Sequence, residues 1–301
     1  MSAASATSVL FARVPRRVRV VEVGPRDGLQ NEKLQVPTAV KIAFINALTL
    51  AGHTHIEVSS FVSPRRVPQL ADAAQVLAGI IRRPGVTYTA LVPNAEGLQR
   101  ALDSGVRSIA LFTAASETFN QKNIGCSVDG SFERFQPLII AAQREGLGIR
   151  GYVSTAFVCP YEGRIAPHRT LEVVTRLRNA GVKSIAISDT IGAAYPVDIS
   201  RLLDLIEARL GLDGIALHLH DTHRRALANA LTGLLHGVEE LDSSAGGLGG
   251  CPFAPGAKGN LATEDLVDFL EGMGISTGID LALQRAATDL VRKTPGGNPH
   301  E

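Results

Sequence analysis

Eight short apolar segments recur along the chain, at 17–24, 55–61, 87–92, 108–113, 149–154, 184–188, 215–220 and about 240–244. Each has strand length, helical spacing fills the gaps between them, and no hairpin signal joins one to the next. The first gap carries a stripe at Val40, Ala43, Phe44, Ala47, Leu48 and Ala51, closed by Gly52. The second carries Leu70, Ala73, Ala74, Leu77, Ile80 and Ile81. Such alternation predicts parallel strands with helical crossovers, and eight repeats predict a closed (β/α)8 TIM barrel. Six strands with two misread segments would instead give an open doubly wound sheet. Right-handed crossovers gather all strand C-terminal ends on one rim, where the chemistry is to be sought.

The 301 residues suit a barrel of ~250 residues with extensions. The expected division is a tail at 1–16, a catalytic barrel at 17–285, and a C-terminal helix end and tail at 286–301. A formal charge of +1 gives no nucleic-acid or membrane footprint. No apolar run approaches the ~20 residues of a membrane span. Cys126, Cys159 and Cys251 are odd in number and widely spaced, which is no disulfide framework and points to a reducing compartment. The first 21 residues contain no acid but hold Arg13, Arg16, Arg17 and Arg19. They read as a short basic tail of a cytoplasmic protein, the alternative being a transit peptide for the mitochondrial matrix. The helical stretch at about 277–293, read as exposed, suggests a homodimer or higher homo-oligomer.

Polar residues fall where the barrel would gather them. In IALHLHD (215–221), His218 and His220 share one face of an extended chain, with Leu217 and Leu219 on the other. The spacing alone leaves two readings open: a metal-ligand pair, or two core histidines satisfied by hydrogen bonds. Arg26 and Asp27 follow strand one, Glu57 lies within strand two, Ser116, Glu117 and Asn120 follow strand four, and Asp189 and Thr190 follow strand six. After strand eight comes GGLGGCPFAPGAKG (246–259), whose six glycines and Cys251 suit a lid, or else a long surface connection. Asn260 then stands at the start of a helix expected over 261–273, where spacing makes it an N-cap.

The stretches VEVGPRDGLQNEK (21–33), EVSSFVSPRRVPQ (57–69), SETFNQKNIGCS (116–127), GYVSTAFVCPYEG (151–163), SDTIG (188–192), HLHDT (218–222) and GGLGGCPFAPGAKGNLATEDLV (246–267) resemble the 3-hydroxy-3-methylglutaryl-CoA lyases. These are metal-dependent barrel lyases related to isopropylmalate and homocitrate synthases. The resemblance implies retro-Claisen cleavage of a branched 3-hydroxyacyl-CoA to acetyl-CoA and an oxo acid. It implies a divalent cation, Mg²⁺ or Mn²⁺, held by Asp27, His218, His220 and Asn260, a set that suits a hard-to-borderline ion. Arg26 would face the substrate and stabilise charge on the thioester oxygen, with Glu57 orienting it. Asp189 or His218 would serve as base and Cys251 as proton donor to the enolate. Lys33, ending the first motif, and Arg26 would contact the bound acyl-CoA.

The chain departs from the common family pattern at His223, Arg224 and Arg225, at Lys258 and at Ser188, which bears on the acyl group. Another acyl-CoA such as citramalyl-CoA is one alternative. A Claisen-type carboligase of the same superfamily is another, although such synthases carry a further C-terminal region. A zinc hydrolase would make Cys251 dispensable and use Arg26 for binding more than turnover, and a non-catalytic acyl-CoA binder would lack a ligand, whereas none is missing.

Overall fold

The computed structural model describes residues 11–32, 35–249 and 259–293. Eight parallel strands close into a barrel: β1 (Arg19–Glu22), β2 (His55–Ser60), β3 (Thr87–Leu91), β4 (Ser108–Ala114), β5 (Gly148–Ser154), β6 (Ser184–Asp189), β7 (Ile215–Leu219) and β8 (Glu240–Ser243). The seam is the pairing of β1 with β8, in register from Arg19 with Glu240 to Glu22 with Ser243. Closure leaves no unpaired edge, which fits the closed form and excludes the open sheet.

Among the described residues ten α-helices lie between and after the strands: α1 (Thr38–Leu50), α2 (Ala73–Gly79), α3 (Ala95–Asp103), α4 (Glu117–Ile124), α5 (Val128–Arg144), α6 (Pro167–Asn179), α7 (Pro196–Leu210), α8 (Ala226–Leu235), α9 (Thr263–Gly272) and α10 (Leu281–Arg292). A two-residue hairpin, Val158–Cys159 with Gly163–Arg164, is inserted after β5. Among the described residues no helix is long and apolar enough to cross a membrane. Cys126 and Cys159 are both free thiols.

Strand periodicity decides what faces where. Ile185, Ile187, Leu217 and Leu219 point outward and join the large core between sheet and helices. Their neighbours Ala186 and Ala216 point inward, where with Leu91, Ala110 and Tyr152 they form a small apolar layer across the barrel. Helix α2 is shorter than its apolar stripe. Pro68–Leu70 forms a separate 3₁₀ turn, Ile80 is already extended at ψ 146°, and Ile81 is 67 % exposed.

The C-terminal helix is not a free, exposed extension. Asp280 caps α10 by accepting from the Ala282 and Leu283 amides (2.9 and 3.0 Å), and its own amide donates to Ala51 O (2.8 Å) at the end of α1. Ala287 and Val291 are buried, and the expected division at 285/286 falls inside this unbroken helix. Gly52, at φ +104°, passes so close to the Gly278 carbonyl that a Cβ would collide with it; α1 and α10 therefore depend on glycine here.

Candidate active site

Strand β1 stops at Glu22 because Gly24–Gly28 winds into a single π-helical turn. The amides of Arg26, Asp27 and Gly28 all converge on Val23 O (3.1, 2.7 and 3.2 Å), and the Val23 amide donates to Ser243 O (2.9 Å). The turn is thereby tied across the seam, and it aims Arg26 and Asp27 over the C-terminal mouth. Glu57, facing inward from β2, receives the Arg26 fork: Nε donates at 2.7 Å and a terminal nitrogen at 3.2 Å. The other terminal nitrogen donates to Asp27 Oδ1 at 2.5 Å. Tyr152 Oη, reaching across the interior from β5, donates to Glu57 at 2.5 Å. Arg26 thus sits buried in one orientation, its remaining N–H donors without an acceptor among the described residues.

Asp27, His218 and His220 each bring a ligand atom within 4.8 Å of the others. Burial opposes ionisation of Asp27, but the Arg26 guanidinium, then His218, His220 and the Asn260 amide, hold its carboxyl well below the usual carboxylate range. Burial, then His218, pushes His220 down to about 4, so its ring is neutral at neutral pH. Its Nδ1 is buried with no hydrogen-bond partner among the described residues, an expensive state that a bound cation would relieve. Asn260 donates from Nδ2 to Asp27 Oδ2 (2.9 Å) and Leu248 O (3.1 Å), which leaves its carbonyl oxygen for an ion. One ionised carboxylate, two imidazoles and one amide oxygen fit a divalent cation.

Asn260 does not cap a helix, as spacing alone would have it. It pairs with His220 in an antiparallel bridge, its amide donates to Gly249 O (3.2 Å), and α9 begins at Thr263 with Ala262 as its cap. The bridge forms because chain on both sides is pinned: Leu261 N donates to Leu219 O and Asp221 N to Gly259 O (2.9 and 2.6 Å).

The other sequence candidates fall into two groups. Asp189 does not join the cluster. It lies on the outward parity of β6 with Ile185 and Ile187, and its two oxygens accept from the Ala193 and Ala194 amides (3.0 Å each). Burial pushes its pKa up to about 6 against those two hydrogen bonds. Ser116 caps α4, Glu117 accepts from Val128 N, and Asn120 donates to Cys126 O and Ser127 O; these three organise a loop. Arg225 stacks on Tyr195, 4.0 Å from its ring centre, while His223 and Arg224 are exposed. Lys33, Cys251 and Lys258 lie outside the described residues.

Besides Tyr152, three residues that support the site through their neighbours escape a reading of the sequence. Asp242, inward on β8 beside His218 in register, accepts from His218 Nδ1 at 3.1 Å, which fixes the ring so that Nε2 faces Asp27 at 3.9 Å. Arg150 donates to Asp242 at 2.6 Å and to Glu240. Glu22 accepts from the Gly24 and Ala245 amides (2.8 Å each) and from Thr263 Oγ1 (2.7 Å), and burial pushes it up to about 8. Inward charge alternating with outward apolar residues in β5 and β8 was the available signal, but it names no partners.

Residues 17–291 match the HMGL-like family model. The chain is 50% identical over 280 residues to the cytoplasmic 3-hydroxy-3-methylglutaryl-CoA lyase of Rattus norvegicus, covering 93% of this chain and 82% of that protein. It is 51% identical to the mitochondrial hydroxymethylglutaryl-CoA lyase of Bos taurus, covering 89% and 82%. The crystal structure of hydroxymethylglutaryl-CoA lyase from Pseudomonas aeruginosa superimposes with a TM-score of 0.92 at 45% identity, covering 95% of this chain and 96% of that one.

Proposed function

This chain belongs to the HMGL-like family, and on that premise we propose that it is a metal-dependent lyase that cleaves 3-hydroxy-3-methylglutaryl-CoA into acetyl-CoA and acetoacetate. The observation that carries the reading is the meeting of Asp27, His218 and His220 with a Glu57-held Arg26 at one mouth of the barrel. Mg²⁺ or Mn²⁺, held by those three residues and Asn260, would supply Lewis acidity at the substrate oxygens.

The chain's own residues do the rest. Arg26 meets the charge that develops on the thioester oxygen; its orientation is set beforehand by Glu57, so little reorganisation is needed at the moment of reaction. Tyr152 shares the Glu57 carboxylate and packs its ring 5.4 Å from the Arg26 guanidinium carbon, bracing both. Asp189 or His218 is the proposed base for the C3 hydroxyl proton, with Asp242 holding His218 through Nδ1 (3.1 Å). Asp189, engaged with two amides, braces the 189–194 turn that adjoins β7 through His220 N and Asp189 O (3.3 Å). Cys251 is the proposed proton donor to the enolate carbon, and Lys33 a contact to the acyl-CoA. We place the protein in the cytoplasm, as a homodimer or higher homo-oligomer; cell fractionation and analytical ultracentrifugation test these two points.

The deciding experiment incubates the Mg²⁺-loaded protein with 3-hydroxy-3-methylglutaryl-CoA and measures acetyl-CoA and acetoacetate. Stoichiometric release of both is expected, with Cys251→Ala lowering turnover by orders of magnitude at unchanged metal content. Absence of cleavage, with turnover only of another branched 3-hydroxyacyl-CoA or only of the condensation direction, would overturn the substrate assignment.

A further inference from the structure

The opposite mouth of the barrel, at the strand N-terminal ends, opens into a second cavity of ≈ 910 Å³. Its walls carry six cations, Arg19, Arg82, Arg83, Arg107, Arg150 and Lys183, against one carboxylate, Glu240. That carboxylate is already taken by Arg150 and by Arg19 (2.8 Å), and Arg82 is spent on the carbonyls of Leu77, Ser104 and Gly105. Arg83, Arg107 and Lys183 are exposed at the rim and make no ion pair among the described residues. Arg150 is 7% exposed, yet its Nε has no acceptor among the described residues. The floor adds hydroxyls: Thr89 Oγ1 donates to Ser108 Oγ at 3.0 Å, and Ser184 Oγ receives Arg150 at 3.0 Å.

A barrel floor needs side chains that fill it and charges that cancel. Here the buried charges cancel, Arg150 against Asp242 and Glu240, but the floor is left open, and the exposed Arg83, Arg107 and Lys183 add positive charge from three stretches of chain around one concavity. Guanidinium forks matched to planar or tetrahedral oxygens are the chemistry of oxyanion recognition. The volume lies within the range of small-molecule sites. We propose that this cavity is a binding site for a small molecule carrying a di- or polyphosphate group, distinct from the site at the C-terminal mouth. The phosphate oxygens lie against Arg107, Lys183 and Arg83, with Arg150 also lining the cavity. The placement stands apart from the lyase reading and does not depend on it.

Inorganic pyrophosphate is the probe, titrated calorimetrically into the metal-loaded protein at low ionic strength, where exposed cations are least screened. One pyrophosphate per chain is expected to bind, with affinity reduced at least tenfold in Arg107→Gln/Lys183→Gln and kept in the charge-preserving Arg107→Lys/Lys183→Arg. Melting temperatures of both variants report whether the fold is intact. No binding at millimolar pyrophosphate, or binding equal in the wild type and the glutamine variant, would overturn the proposal.

Discussion

Asp242 and His218 form a pair whose value lies in orientation. A histidine that binds a cation through one nitrogen needs the other held, and the carboxylate does this from the neighbouring strand. Asp242→Asn is expected to weaken divalent-cation affinity by about 10–100-fold, measured by titrating Mn²⁺ into the apoprotein; an unchanged affinity would show that ring position is set elsewhere. Glu22 gives a prediction in pH. Its folded-state pKa of about 8 lies above the ordinary carboxyl value of about 4.3, so between these values the folded protein holds a proton that the unfolded chain has released. Stability from this group is therefore present at low pH and lost as pH rises toward 8. His53, His55 and His220, each pushed down to about 4 chiefly by burial, oppose this below about pH 7.5, because their unfolded imidazoles still release protons near 6.5, whereas Asp189, near 6, has finished by then. Between about pH 7.5 and 8.5, urea unfolding should thus show a decline of up to about 1 kcal/mol per unit that Glu22→Gln flattens. A wild-type curve already flat in that window would mean that Glu22 stays ionised. At this scale the sequence shows the histidines, through their two-residue spacing, and Asp27 and Arg26, through their motif. It hides Asp242, because a single inward acid becomes meaningful only once its neighbour across the strand ladder is known.

Among the elements, the turn Gly24–Gly28 matters most, since it sets both Arg26 and Asp27. A Cβ on Gly28 would stand 2.8 Å from Leu248 Cβ and 3.0 Å from Ser244 Oγ, closer than packed carbons can approach. Gly28→Ala is expected to shift the turn, cost about 1–3 kcal/mol by overpacking, and cut metal affinity more than the melting temperature alone would suggest. Equal metal binding with reduced stability would show that the turn moves as a body without Asp27. Strand periodicity announces the eight strands well, because outward Val, Ile and Leu alternate with inward residues that are small or polar. It overextends the first strand to 24, since a π turn held by three amides on one carbonyl leaves no periodic trace. Asn260 misleads for a related reason: a polar residue ahead of an apolar run looks like a cap, whereas long-range pairing with His220 decides its place.

At the scale of the molecule, the proposed cation site is assembled from the two ends of the chain. Asp27 comes from the turn after β1, His218 from β7, and Asn260 from beyond β8. A ligand that binds only this arrangement stabilises the fold, by about 2.7 kcal/mol at a hundred times its dissociation constant. Chelation with EDTA should lower the melting temperature by several degrees, and Mn²⁺ should restore it; a temperature indifferent to chelator would argue against an ion at Asp27. The barrel itself is readable from alternation, but the cationic cavity at its other mouth is not, because Arg83, Arg107 and Lys183 look like ordinary surface charge until the ring brings them together.

The seam between β1 and β8 joins residues 221 positions apart, which gives biosynthesis an order. While the chain is still being made, β1 has nothing to zip against on one side, and β7 exposes the edge that β8 will later occupy. The last strand to leave the ribosome therefore acts as a latch, and until it engages, the nascent protein carries two sticky borders and no place for an ion.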